Sequence, residues 1–490
     1  MDEDIDEENF VESEKSFEKE EKEEKKEKHK KLKKILIPTI IILIIAIFFI
    51  VLILLLKFNT GDDDEEKFDG IIYAKYIIRS DNQRLKIINK PKKDKITISI
   101  YNNNRKIMDF REFESNIEIL VNKNFENVFQ LKYKGKFTDF SSLFSYNDYL
   151  EEIDLTGINS SQVTSMEEMF SRCYNLKKVN MSNIITSNLQ NMDDMFYRNE
   201  KLEIIDMTNF DFSKITSSIS TFKDCYKLSK IDIKFDLTTV ENASYMFEDC
   251  HSLEEIALIN QKTQSVPIDI RSIFNRNYAL TKIDLTDFNK KIILGIEYAF
   301  NYCNSLASID LSKFNTSSVT SISCLFSNCY KLENIDLTYL DVSNTKYFIN
   351  TFANCNLIQS IDLSNFNISK AEIMTGLFYG CSSLISVDLS NYIINIFSLS
   401  DLFCKCTSLE NVTLSVKSVT NVAGMFKECF SLKYLDLSQF SAGNIKWSSN
   451  FFPKEVTNAT IVYNSNIFGR IKQLIPNKGI IFIDVNIDLY

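Results

Sequence analysis

The chain has 490 residues and a net charge of −10, an acidic balance that argues against nucleic acid as a partner. Its only two histidines, His29 and His251, leave few ways to build a general base or a zinc site. The 11 cysteines are an odd number, so at least one is free or pairs between chains.

Residues 1–34 read as a disordered cytoplasmic tail, acidic at first and then basic through Lys22, Lys25, Lys26, Lys28, Lys30, Lys31, Lys33 and Lys34. Nothing apolar is available there to bury. Residues 35–56 carry no charge. As a helix, Ile35–Leu56 is about 33 Å long, enough to cross a hydrocarbon core of ~30 Å. Lysines stand before this span, and Asp62, Asp63, Asp64, Glu65 and Glu66 follow it. Lysine and arginine bias sets topology. The span is therefore expected to be an uncleaved signal anchor in contact with membrane lipid, with the N-terminus cytoplasmic and the C-terminus outside the plasma membrane. Residues 57–66 are the linker.

Over 67–140, short β-rich runs alternate with polar turns: Ile71–Ile78, Leu85–Ile88, Lys95–Tyr101, Ile117–Val121 and Val128–Tyr133. Asn102-Asn103-Asn104 has the composition of a hairpin turn. This stretch is expected to be a small all-β juxtamembrane module that caps whatever follows.

From Phe144 one pattern recurs about every 26 residues, anchored at Phe144, Phe170, Phe196, Phe222, Phe247, Phe274, Phe300, Phe326, Phe352, Phe378, Phe403 and Phe426. Three residues after each Phe stands Cys or Asn, from Asn147 and Cys173 to Cys406 and Cys429. Six after it stands Leu, or once Ile358, and nine and eleven after it stand two more aliphatics with Asp usually between them. In such a strand the aliphatics share one face and the Asp points to the other. One copy cannot bury its apolar side alone, whereas stacked copies can. The expected fold is a leucine-rich-repeat solenoid of about twelve rungs over 141–452, a parallel β-sheet with short helical or irregular returns. A Phe column forms a second spine, and 453–490 forms a C-terminal cap with a helix-like stretch near 467–474 and a strand near 479–485. The Cys/Asn ladder is expected to bond backbone at a tight turn, as free thiols rather than disulfides.

Runs such as Leu306–Thr320, LASIDLSKFNTSSVT, with the Phe-x-x-Cys-x-x-Leu joint before them, resemble the BspA-type leucine-rich repeats of microbial surface proteins. The resemblance covers 144–452. It implies a cell-surface location and a role in adhesion or recognition of an extracellular protein or glycan ligand, with no catalytic residues and no cofactor. Two rungs depart from the pattern: 248–273 has IALI in place of the strand motif and contains Pro267, and 404–425 is shorter.

Three residue sets are candidates for function. An Asp column runs through Asp154, Asp206, Asp232, Asp284, Asp310, Asp336, Asp362, Asp388 and Asp436. Lys178, Lys230 and Lys282 offset its early members, which leaves Asp310, Asp336, Asp362 and Asp388 as an uncompensated strip for a basic ligand or weak calcium. The alternative reading is a solvated stripe with Ser/Thr hydrogen bonds. Tyr174, Tyr226, Tyr278 and Tyr330 follow the Cys/Asn ladder in every other rung, as binding anchors or as seals of their own turns. Asn159, Asn242, Asn315, Asn367 and Asn458 stand in glycosylation sequons; Asn180 and Asn411 do too, in or beside strands. No catalytic triad or metal-spaced cluster is visible, so an enzyme is not expected. The alternative to a ligand-binding surface protein is a structural surface coat that self-associates.

Overall fold

A computed structural model of the protein describes residues 67–490 except 112–114, 232, 263–265, 442, 466–472, 474, 476–478 and 486–490. The expected tail, anchor and linker, Asp232, and most of the helix expected near 467–474 lie outside the described residues. Among the described residues no helix is long and apolar enough to cross a membrane. Phe68–Tyr490 forms one compact unit.

Alternation of buried and solvent-facing residues makes the first strands: β1 (Gly70–Tyr76), β2 (Gln83–Ile88), β3 (Thr97–Asn102), β4 (Arg105–Phe110), β5 (Ile117–Val121) and β6 (Val128–Lys134). The predicted runs fall on five of these, and β4 completes a hairpin with β3. Asn103 and Asn104 both have positive φ, 48° and 57°, and Asn102 pairs with Arg105 across them. Asparagine tolerates that conformation better than most side chains. β1 pairs antiparallel with β6 on one side and, on the other, with β7 (Leu150–Gly157), the first rung. The module thus caps the solenoid by sharing its sheet.

The rungs continue through β8 (Lys178–Asn180), β9 (Ile204–Asp206), β10 (Lys234–Asp236), β11 (Glu255–Ile259), β12 (Ile268–Asp269), β13 (Lys282–Asp284), β14 (Lys291–Gly295) and β15 (Phe314–Asn315). The last strands are β16 (Ser386–Ser398), β17 (Asn411–Asn421), β18 (Tyr434–Phe440), β19 (Thr460–Tyr463) and β20 (Ile481–Asp484). They do not form the single parallel sheet expected. Sheets run β4-β3-β6-β1-β7-β8-β9, β10-β11-β13, β12-β14-β15 and β16-β17-β18-β19-β20, with β2-β5 apart. At Ile309–Leu311, Ile335–Leu337 and Ile361–Leu363, where strands were expected, the described backbone is irregular or enters short 3-10 turns, Leu311–Lys313 and Leu337–Tyr339. Their caps are Asp310 and Asp336, whose side chains accept from the backbone N–H two residues on.

The short rung has another solution. From Asn411 to Asn421 it stays extended in β17, 11 residues beside the 13 of β16, with bulges absorbing the register shifts. Fewer residues must cover the same circuit, and extended chain covers the most per residue. The Pro267 rung stays paired to its neighbours through β11 and β12. Lys291, fully buried, reaches past that rung and donates to the carbonyl oxygens of Leu237 and Thr238.

What continues through every rung is the Phe corner. The twelve rings from Phe144 to Phe426 stack with centroids 5.4–6.0 Å apart and planes within 19° of parallel. Residues two before and two after each Phe are left-handed, with φ between 52° and 70°, from Ser142 and Tyr146 to Gly424 and Glu428. The alternation turns N–H groups toward the next rung: Phe170 N donates to Met195 O at 2.8 Å, and Phe300 N to Leu325 O at 3.0 Å. Side chains in this conformation cost about 1 kcal/mol or more each. The corner ladder offsets that strain, and it persists where the β ladder fails.

Candidate functional site

The nine ladder cysteines are buried, and each thiol donates to the carbonyl oxygen of the preceding rung's Phe at 2.9–3.2 Å. Burial pushes the Cys329 and Cys381 thiols up to about 12, so they remain protonated donors at neutral pH. All 11 cysteines are free. Ladder Asn residues occupy the same place less well: Asn199 accepts from Cys173 N at 3.0 Å, whereas Asn277 has no protein partner for either amide atom. This ladder is internal and offers nothing to a ligand.

The four aspartates of the expected strip, Asp310, Asp336, Asp362 and Asp388, are exposed. Each Oδ1 accepts from the N–H of the Ser or Thr two residues on, at 2.8–3.0 Å. Hydrogen bonds from Thr338 and Ser364 hold the Asp336 and Asp362 carboxyls below the usual range, against mutual repulsion at Asp336. Asp154, Asp206, Asp284 and Asp436 make the same turn. In the fourth rung the turn is made by Asp236 and Thr238, four residues beyond the Asp232 assigned to the column. Every described member of the column therefore has a structural task, and at Asp154 the second carboxylate oxygen is bonded too, by Asn180 Nδ2 at 3.2 Å.

The sequons fall to the same chemistry. Asn159, Asn180, Asn242, Asn315 and Asn367 accept from the Ser two residues on at 2.9–3.2 Å. At the place of Asn159, Asn315 and Asn367 other rungs carry Asp211 and Asp341, which make identical turns with Ser213 and Ser343. Asx-x-Ser is thus a turn code here. Asn458, near the C-terminal end, is exposed, and no such bond accompanies it.

The tyrosines lie on the outer flank of the Phe corner. Tyr226 and Tyr278 are bridged by His251, which their spacing alone left out: ring centroids are 4.8 Å apart on each side, with planes at 14° and 32°. Tyr302 meets Tyr278 edge-on at 6.3 Å. His251 is also 3.1 Å from Asp249. Burial and then nearby carboxylates, Asp224 for Tyr226 and Asp249 for Tyr278, push these phenols above their usual value, so both keep their proton. Toward the first rung, Arg172 lies 4.9 Å from the Tyr146 ring and 5.6 Å from Tyr197, and its guanidinium donates to the Tyr146 hydroxyl at 2.7 Å. Arg198 lies over Tyr197 at 5.3 Å, hydrogen-bonds Tyr174 and pairs with Asp224 at 3.4 Å. The Tyr330 hydroxyl is 3.4 Å from Asn328 Oδ1. The structure thus joins Tyr174, Tyr226 and Tyr278 into one band of rings and guanidiniums, with Tyr146, Tyr197, Arg172, Arg198 and His251 as members that a search for Tyr alone missed. Reading the position after the Cys/Asn ladder as a place for any ring would have found His251.

Among the described residues no group of three or more His, Cys, Asp or Glu could hold a metal ion.

The repeat geometry has a counterpart among known families. The family described as "Mycoplasma protein of unknown function, DUF285" matches residues 138–261, 268–392 and 386–467. The chain belongs to this DUF285 family. No curated protein sequence matches it. Solved structures similar to this DUF285 chain include a leucine-rich cell surface protein from Faecalibacterium prausnitzii, 19% identical, covering 59% of this chain and 74% of that one at a TM-score of 0.26. A leucine-rich-repeat protein from Eubacterium ventriosum is 16% identical, with coverage of 67% and 84% and a TM-score of 0.24. The pneumococcal vaccine antigen PcpA is 12% identical, with coverage of 72% and 86% and a TM-score of 0.36.

Proposed function

We propose that this DUF285 chain is a single-pass surface protein of the BspA-like kind, anchored through 35–56 with its C-terminus outside the cell. It binds an extracellular protein or glycan through the ring-and-guanidinium band and assigns no residue to catalysis. The supporting observation is the stack Tyr226–His251–Tyr278 beside Tyr197 and Arg198. These rings are half-exposed, while the Phe column behind them already supplies the buried spine. Tyrosine and arginine are the side chains that most often anchor a bound partner, and an aromatic face also receives a sugar ring.

The test is an array of host-surface proteins and glycans probed with the wild-type chain and with a Tyr226→Ser, Tyr278→Ser variant. Loss of the captured ligand at unchanged thermal stability is expected. Equal capture would move the binding face elsewhere; a parallel Asp310→Asn, Asp336→Asn, Asp362→Asn, Asp388→Asn variant then reads the acidic strip. A surface coat that self-associates is the second reading. It is favoured by the ring pair Phe397 and Trp447, 53% and 51% exposed with centroids 6.2 Å apart. Concentration-dependent oligomers lost on Trp447→Ser would support it.

A further inference from the structure

A row of side-chain amides runs along the Phe corner over five rungs, apart from the Cys/Asn ladder. It starts at Glu248, one residue after Phe247, and continues through Asn275, Asn301, Asn328 and Asn354, each one or two residues after its own Phe. Glu248, Asn275, Asn301 and Asn328 are each 7% exposed. Every amide nitrogen donates to the side-chain oxygen one rung back: Asn275 to Glu248 at 2.6 Å, Asn301 to Asn275 at 2.9 Å, Asn328 to Asn301 at 3.3 Å and Asn354 to Asn328 at 2.8 Å. Asn328 Nδ2 also donates to Ser327 Oγ at 2.9 Å. Lys223 Nζ lies 2.5 Å from the other Glu248 oxygen and closes the first end. At the far end the next rung carries Gly380, and Asn354 Oδ1 fills the space that a Cβ there would need. The row meets the outer flank of the corner at two places. Asp249, which is bonded to His251, follows Glu248 directly, and the Tyr330 hydroxyl donates to Asn328 Oδ1 at 3.4 Å.

An amide can turn either way, so such a row has two self-consistent directions, every nitrogen pointing back or every nitrogen pointing forward. A carboxylate accepts and cannot donate. Glu248 therefore obliges Asn275 to present its nitrogen, which leaves the Asn275 oxygen for Asn301, and the choice repeats as far as Asn354. Tyr330, donating to the Asn328 oxygen, favours the same direction. We propose that Glu248 sets the direction of this amide row across all five rungs, so that the flank carrying His251 and Tyr330 holds one coupled arrangement. The inference is independent of which partner the ring band takes. Glu248 and Asn354 are four rungs apart, about 19 Å, beyond the distance at which substitutions ordinarily influence one another. Coupling over that span needs an element with two discrete arrangements that both ends bias, which the row supplies. Aligned hydrogen bonds also polarise and strengthen one another. A partner that draws the Tyr330 hydroxyl away from Asn328 would thereby be felt at the Glu248–Asp249 corner that holds His251.

The experiment is hydrogen exchange on the full chain, read at the backbone amides of these five rungs and at the Phe403 rung beyond them. Glu248→Gln keeps the shape but can donate as well as accept, which releases the direction. Amides around Asn354 should then exchange about threefold faster, while those around Phe403 stay as in the wild type. Lys223→Gln still donates to Glu248 and leaves the carboxylate in place, so it should alter exchange near Glu248 alone. Acceleration in Glu248→Gln confined to the Phe247 and Phe274 rungs would overturn the coupling. A uniform rise at every rung, Phe403 included, would overturn it too, as would an equal effect at Asn354 from Lys223→Gln. Should Glu248→Gln fail to fold, Asn301→Ala cuts the row two rungs before Asn354 with the Lys223–Glu248 pair intact. It carries the same expected acceleration at Asn354, and unchanged exchange there counts against the coupling.

Discussion

A ladder cysteine acts through one bond, from its thiol to the carbonyl one rung back; that donor is missing at Asn199, whose Nδ2 has no partner, and at Asn277, where neither amide atom has one. The Asn277 amide is fully buried. Leaving such groups unsatisfied costs about 1–3 kcal/mol. Asn277→Cys, which restores the donor of its neighbours, should raise the denaturant midpoint by an amount worth about 1–2 kcal/mol at unchanged m. A lower midpoint would show that the amide is satisfied in solution. Asp194 presents the opposite problem, a charge too many. Burial first, then Asp193, Glu168 and Glu167, push its carboxyl up to about 6. A folded-state value above the unfolded one means the folded chain prefers the proton. The group therefore carries its full penalty above pH 6, and stability rises as pH falls from about 6 toward 4. Asp194→Asn, at a left-handed position (φ 53°) that suits Asn, should stabilise by about 1 kcal/mol at pH 7 after allowance for partial solvation. It should also flatten that slope, as read from midpoints across pH. At this scale the Cys/Asn interchange was legible as a demand for small, bonding side chains. The acceptor was not, because it belongs to another rung.

Among the elements, the Phe column and the β ladder were expected to work together, and the structure separates them. Strand pairing lapses between β15 and β16, yet the rings stay stacked, because the left-handed corner supplies its own ladder of backbone bonds. The column is not uniform. Its widest step is Phe274–Phe300, 6.0 Å and 19°, and those two rings line a small apolar void with Leu258, Ile268 and Ile293. A loosely packed site loses less on truncation. Phe300→Ala should therefore cost about 3 kcal/mol, toward the low end for such changes. Phe196→Ala, between rings 5.4 Å away on both sides, should cost nearer 5 kcal/mol. Chemical denaturation of the two variants checks the order. Equal and small losses would mean that the column bears no load. The strands themselves were legible only where alternation is strong. At Asp310 and Asp336 the same residue that marked a strand in sequence caps a 3-10 turn, while Asp206 and Asp284 make the same carboxylate bond inside paired strands.

For the whole molecule, the decisive arrangement is a basic module of +7 joined to an acidic solenoid of −9, with one continuous sheet from β4 to β9 making the joint. Such a joint should unfold as one piece with the first rungs. The orientation rests on the lysines before residue 35. Epitope tags in intact cells should be protected from protease at the N-terminus and cleaved at the C-terminus. The reverse pattern would overturn the topology.

Sequence by itself determined the period, the Phe, Leu and Cys/Asn places, the hairpin at Asn103-Asn104 and the module before the rungs. Each is a local code, repeated or strong enough to read without knowing its neighbours. Only the tertiary structure decided which carbonyl each thiol meets and where the sheet breaks. The same holds for the His251 bridge between Tyr226 and Tyr278, and for the turns that recruit Asp and sequon Asn alike. The physical reason is common to all of these. A solenoid brings together residues about 26 apart, and whether a side chain bonds across that step or to its own turn depends on distances that no single rung specifies.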